Sequence, residues 1–222
     1  MITNMKKILL FVLLLGATIG ANAQFGRTKT INVIPDNAKI FHKGAEVGQG
    51  SYTFQMGRED YMLFKLKAPG YIDKTIKVYK ANKQNTFTYQ LEVDEAYANS
   101  EASSDLANKS MTIVVREGMS SDEVWKRLVL YLTDVFPDME IMDKSAGWLR
   151  SAWMKQDFAY ATIRTRIEVK EMIGQDDLRY RVKLQSEYAW HDCGGGDECY
   201  QQWDRVLKTY NQAIQDLFNA IR

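Results

Sequence analysis

Ala161-Thr162-Ile163-Arg164-Thr165-Arg166-Ile167-Glu168-Val169 alternates small or aliphatic residues with polar ones without a break. A period of two is the signature of a strand with one buried face and one face open to water. Further on, Arg179-Tyr180-Arg181-Val182-Lys183-Leu184 repeats the pattern, and Gly174-Gln175-Asp176-Asp177 between the two runs supplies turn residues. Ala159 to Glu171 and Leu178 to Trp190 are therefore expected to form one long antiparallel hairpin. Its Ala161, Ile163, Thr165, Ile167, Val169, Tyr180, Val182 and Leu184 face a core. Arg164, Arg166, Arg179, Arg181 and Lys183, with Arg150 near them, gather on the other side.

A sheet with one apolar face needs a cover, and the flanking sequence provides two helices. Ser120 and Glu123 form a capping box, and Val124, Leu128, Tyr131 and Val135 make a stripe from Ser121 to about Phe136, stopped by Pro137-Asp138. The second helix is expected over Glu198 to Arg222, with Trp203, Val206, Leu207, Tyr210, Ile214, Leu217, Phe218 and Ile221 on one face. Strands are expected at Met111 to Arg116, Met139 to Asp143 and Trp148 to Lys155, the last two joined by a Lys144-Ser145-Ala146-Gly147 turn. The order is β-α-β-β-β-β-α: an α+β domain over residues 110–222, an antiparallel sheet with both helices on one face. Trp125 and Ile141-Met142-Asp143-Lys144-Ser145-Ala146-Gly147-Trp148-Leu149, in that order of elements, resemble helix-grip and TBP-like domains.

Upstream, all is strand and turn. Thr30 to Ile34, Lys39 to His42, Ser51 to Met56, Tyr61 to Lys67, Tyr71 to Lys80 and Thr86 to Val93 are six short strands, expected to form a β-sandwich over residues 28–93. Val33-Ile34-Pro35-Asp36-Asn37-Ala38, Ile40-Phe41, Lys43-Gly44, Val47-Gly48 and Lys67-Ala68-Pro69-Gly70-Tyr71 resemble the PEGA family of extracytoplasmic modules. Asp36-Asn37 stands where that family carries Glu-Gly. The resemblance implies an interaction module that contacts cell-wall glycan or sibling domains, and no enzyme. Residues 94–109 hold a single aliphatic side chain larger than Ala, Leu106, and are expected to form an interdomain linker.

Residues 1–23 have the build of a cleavable export signal: Lys6-Lys7, an apolar run from Ile8 to Ile19, then Ala21-Asn22-Ala23. The apolar run is shorter than the roughly 20 residues a membrane-spanning helix needs. Gln24, not Cys, follows the cut, so no lipid anchor and no membrane span are expected after cleavage. Removing two lysines moves the net charge from +1 to −1. Such a balance gives no bias toward nucleic acid or an anionic membrane.

The two cysteines, Cys193 and Cys199, flank Gly194-Gly195-Gly196 and in an oxidising compartment read as a disulfide. The alternative, a metal site with His191, offers three ligands and matches no zinc spacing. No Gly-x-Ser-x-Gly elbow, phosphate loop or calcium-loop spacing occurs, so no catalytic residue, metal or cofactor is expected. The basic face has two readings. One is a solvated sheet exterior balanced by Glu168 and Glu187, on which paired Arg→Gln replacements cost under about 0.5 kcal/mol. The other is a docking face for an acidic protein or an anionic glycan. The function expected first is a non-catalytic periplasmic or secreted envelope protein whose partner is an envelope protein or cell-wall glycan. The second is a small-molecule binder whose groove, between the last helix and the sheet, is lined by Trp190, Trp203 and Tyr210. Intact mass of protein recovered from an envelope fraction should equal that of residues 24–222; a mass retaining residues 1–23 would contradict the export reading.

Overall fold

A computed structural model describes residues 28–103, 105–174 and 177–222. The expected export signal and the start at Gln24 lie outside the described residues, as do Gln175 and Asp176 of the hairpin turn. Among the described residues, no helix is long and apolar enough to cross a membrane. The described residues are mostly β-sheet with three α-helices, an α+β composition, and the chain divides after Glu92 into two compact units.

The first unit contains β1 (Thr28–Ile34), β2 (Lys39–His42), β3 (Ala45–Gln49), β4 (Ser51–Gln55), β5 (Tyr61–Lys67), β6 (Lys74–Tyr79) and β7 (Thr86–Gln90). They form one seven-stranded path, β6-β5-β2-β3-β4-β1-β7, rather than six strands in two separate sheets. The additional strand, β3, reads Ala-Glu-Val-Gly-Gln and has no alternation to reveal it. The path is bent, not flat. Phe54 on β4 and Phe64 on β5 are separated by three strand spacings, about 14 Å in a flat sheet, yet their rings lie 4.8 Å apart. Curling brings the inner faces together around Ile31, Ile40, Phe64, Leu66 and Val78. Gly50 makes the tight step from β3 to β4. Its φ is +64°, and a Cβ there would strike the carbonyl oxygen of Asp36. Lys29, on the inward side of β1, is fully buried; its ammonium donates to the carbonyls of Asn82 (2.8 Å) and Gln84 (2.9 Å).

The second unit contains α1 (Glu95–Ala98), β8 (Ser100–Ala102), β9 (Ser110–Val114), α2 (Ser121–Val135), β10 (Met139–Asp143), β11 (Trp148–Ser151), β12 (Met154–Asp157), β13 (Ala161–Glu171), β14 (Arg179–Trp190), β15 (Gln201–Gln202), β16 (Arg205–Leu207) and α3 (Lys208–Ile221). β13 and β14 pair along eleven residues, from Ala161↔Trp190 to Glu171↔Tyr180. Around them β10-β11-β13-β14-β15 form the sheet, with β12 also on β13 and β9 also on β14. Val124, Leu128, Leu132, Ile214, Leu217 and Ile221 of the two long helices close over Ile167, Val169, Val182 and Leu184. The α2 stripe turns slightly from the expected one: Leu132 is buried and Tyr131 exposed. Ser120 caps the helix through its hydroxyl, which accepts from Glu123 N–H at 3.2 Å, while the Glu123 carboxylate pairs with Arg127 instead of closing the box.

Two expectations are corrected here. Residues 94–109 are not a solvated linker: β8 pairs with β16, and Ala96, Ser100, Leu106 and Ala107 are buried. Small side chains fill this space, so a composition poor in large apolar residues still packs. The final helix begins at Lys208, not Glu198, because residues 197–199 form a short 3₁₀ turn at the cysteine loop and 205–207 pair as a strand. Ladder hydrogen bonds to β8 take precedence there over helical spacing.

At the β10–β11 turn, Asp143 Oδ1 accepts from Ser145 N (2.9 Å), Ser145 Oγ (2.7 Å) and Ala146 N (3.1 Å). The Ser145 hydroxyl, followed by the Ala146 N–H, lowers the carboxyl pKa below its usual value. Gly147 follows with φ +56°, packed so that a Cβ would collide with the Glu171 side chain. Glu171 is held by the Tyr180 hydroxyl (3.2 Å) and the Ser121 hydroxyl (3.4 Å), and burial pushes the Tyr180 phenol up to about 12. Gly147→Ala should destabilise the protein by about 2 kcal/mol, combining backbone strain with displacement of Glu171. Gly118→Ala, at φ +89° with open space around it, should cost about half as much. Urea unfolding of both variants checks the difference; equal losses would show that the Glu171 contact is immaterial.

Candidate functional site

The outer face of the β13–β14 hairpin is where the cations were expected, either balanced by Glu168 and Glu187 or offered to a partner, and Arg164 among them is caged. Arg164 is only 9% exposed. Its guanidinium lies 3.8 Å from the ring centroid of Tyr200 and 4.4 Å from that of Trp153. Nε and Nη2 both reach Glu187, directly opposite on β14, at 2.7 Å, and Nη1 reaches Asp197 at 2.6 Å. Planar Arg suits this site because it can stack and fork at once. Asp197 and Tyr200 belong to the loop closed by the Cys193–Cys199 disulfide, whose Cα atoms are 5.7 Å apart. The bridge excludes a metal role for these thiols. Among the described residues no group of three or more His, Cys, Asp or Glu is arranged to hold a metal ion.

Arg166 also stacks on Trp153 (4.3 Å) and donates from Nε to Gln185, its cross-strand partner, at 2.6 Å. Burial, with a smaller effect from Arg150, lowers its pKa. Arg150 pairs with Glu140 (3.0 Å), and Arg179 with Asp177 (3.0 Å). Arg181 is exposed, Lys183 half-buried, and neither forms an ion pair among the described residues. The basic face is thus mostly an internally satisfied lattice. Both histidines are engaged too: His42 Nδ1 lies 2.8 Å from the Leu63 carbonyl, and His191 Nε2 lies 3.3 Å from the Thr162 hydroxyl.

On the opposite face, Trp203 and Tyr210 of the expected groove pack with Tyr188 against Ala96, Ile163 and Leu207, while Tyr210 is not among the residues that line the open depression at Trp190 and Trp203. Tyr210 stacks on Phe136, centroids 5.1 Å apart, and burial raises its pKa. The space between α3 and the sheet is core, filled by Ile214, Leu217 and Ile221. Trp190 and Trp203 do come together, near the end of the hairpin where Ala161 pairs with Trp190. There they line an open depression of about 420 Å³ with Tyr188, Asp94, Gln202 and Asp204; Ala161 and Ile163 also line it. Tyr188 and Trp190, two residues apart on β14, make an edge-to-face pair at 5.9 Å. Trp190 remains 43% exposed.

Backbone pairing sets this wall. Trp203 N–H donates to the Ser186 carbonyl (2.9 Å), and Trp203 O accepts from the Asn108 side-chain amide (2.8 Å). Asn108, at φ 60°, also donates to Ser186 O and accepts from Ser186 N–H, standing in for a strand between β9 and β15. Asp94 caps α1 by accepting from Tyr97 N–H at 3.1 Å with one carboxylate oxygen. Tyr188 was available to the sequence reading through its two-residue spacing from Trp190. Asp94, Asn108 and Asp204 lie far apart in the chain and carried no such signal. No protein-family model and no curated protein matches the chain.

Arg164→Gln should cost about 2 kcal/mol, since it removes the ring stacking and leaves Glu187, whose side chain is 18% exposed, without its guanidinium; Asp197 is open to water and adds little. Arg181→Gln should stay within about 0.5 kcal/mol. Chemical unfolding of the two single variants separates them, and equal small losses would reduce the cage to surface decoration.

Proposed function

We propose that this chain is a non-catalytic protein of the cell envelope, exported through residues 1–23, that works by holding cell-wall glycan. In this reading residues 28–93 are a PEGA-like module and residues 110–222 a domain of helix-grip or TBP-like build. The observation that carries the glycan reading is the open aromatic depression at Trp190 and Trp203. Flat ring faces pack against the C–H faces of sugar rings, and carboxylate and amide oxygens at the rim accept from hydroxyls. The caged arginines weigh against the other expected surface, since a guanidinium already bound to Glu187 and Asp197 has few donors left for a partner. The disulfide is in keeping with an oxidising compartment.

Soluble glycan strands released from purified cell wall, titrated into the mature protein, should quench tryptophan fluorescence saturably. Trp190→Ala should weaken binding by about 2 kcal/mol, roughly 30-fold, the scale of an aromatic anchor at a binding site. Its unfolding free energy should change by less than about 1 kcal/mol, because much of the ring is already solvated. Unchanged binding by Trp190→Ala would remove the depression from consideration.

A further inference from the structure

Resting on the glycan reading of this depression, we infer that the sugar held there carries a free, protonated amine: the site is built for an amino sugar rather than an N-acetylated or neutral one. Three features of the lining converge on a cation. Tyr188, Trp190 and Trp203 line the depression, and aromatic rings attract an ammonium group placed over their faces. Asp94 and Asp204 bring two carboxylates to the same rim. Asp94 spends one oxygen on capping α1, leaving the other free to accept, and Asp204 is exposed with no side-chain partner among the described residues. No lysine, arginine or histidine contributes to the lining; Arg205, next to Asp204 in the chain, is directed to the Ser100 hydroxyl and carbonyl and stacks on Tyr97.

The surroundings reinforce this. Residues 93–222 carry 22 acidic and 16 basic side chains. Pairing on the other face of the sheet leaves most of that excess in place, since Arg164, Arg150 and Arg179 there engage Glu187, Asp197, Glu140 and Asp177. An approaching amine therefore meets an acidic field focused by apolar walls. An acetamide at the same position would bring no charge to the carboxylates and would press a methyl group against them. An anionic sugar would be repelled.

The test uses matched β-1,4-linked glucosamine oligomers, one set with free amines and one fully N-acetylated, titrated into the mature protein at low salt. The free-amine oligomer should bind about tenfold tighter, and the difference should shrink as salt rises. The double variant Asp94→Asn/Asp204→Asn keeps the cap, since Asn serves at that position as well as Asp, and should erase the difference between the oligomers while its melting curve stays in place. Equal binding of both oligomers, lost together in Trp190→Ala, would overturn the amine and leave the glycan reading intact. Binding of neither oligomer would overturn both. A tetralysine peptide binding as tightly as the free-amine oligomer would overturn the sugar and keep only the charge.

Discussion

The register of β13 against β14 holds the second unit together. Eleven consecutive pairs place Ile167 beside Leu184 and Val169 beside Val182 on one face, and Arg164 beside Glu187 and Arg166 beside Gln185 on the other. A slip of one residue would send the aliphatic set to water and drive the arginines under the helices, which neither face could absorb. The same register sets Ala161 beside Trp190 and Ile163 beside Tyr188. The floor and one wall of the depression are thus consequences of core packing several residues away.

What reaches the depression from elsewhere depends on how the chain leaves β14. The disulfide folds residues 193–199 back over the hairpin, where Asp197 and Tyr200 grip Arg164. Closing so short a loop removes little chain entropy, on the order of 2 kcal/mol at most, so the bridge matters chiefly for direction. It turns residues 201–202 onto the edge of β14, and Asn108 completes the pairing at Ser186. Trp203 then falls beside Trp190 instead of on a helix. The arginine cage and the aromatic depression occupy opposite faces of one hairpin, tied by a single loop.

Elements governed by their own periodicity were legible in the sequence. The long hairpin, the burial of Ile163, Thr165, Ile167 and Val169, the Ser120 cap and the buried stripe of α3 all follow from spacing. Elements governed by a distant partner were not. Val206 and Leu207 fit the helical stripe of Ile214 and Ile221 equally well, and only β8, about 100 residues upstream, makes them a strand. Residues 94–109 looked unable to pack because composition counts side-chain size, whereas Ala96 and Ala107 are buried where larger residues would not be accommodated. Arg164 read as one cation among five because alternation reports the face and not what covers it. Trp153 and Tyr200 come from two different connections and meet only in the fold.

Charge is divided between the units in a way that the near-neutral whole conceals. Residues 28–92 hold 10 basic and 6 acidic side chains, and residues 93–222 hold 16 and 22. In the second unit the guanidiniums are the groups drawn inward, stacked on Trp153 or paired across the hairpin, because a planar, weakly hydrated cation tolerates burial better than a carboxylate does. Asp94, Asp204 and Asp197 stay at the rim or in solvent. The basic strand pattern and the acid-rimmed aromatic depression lie on opposite faces of one hairpin, because alternation along β13 and β14 sends Arg164 and Arg166 to one side and Ala161, Ile163, Tyr188 and Trp190 to the other.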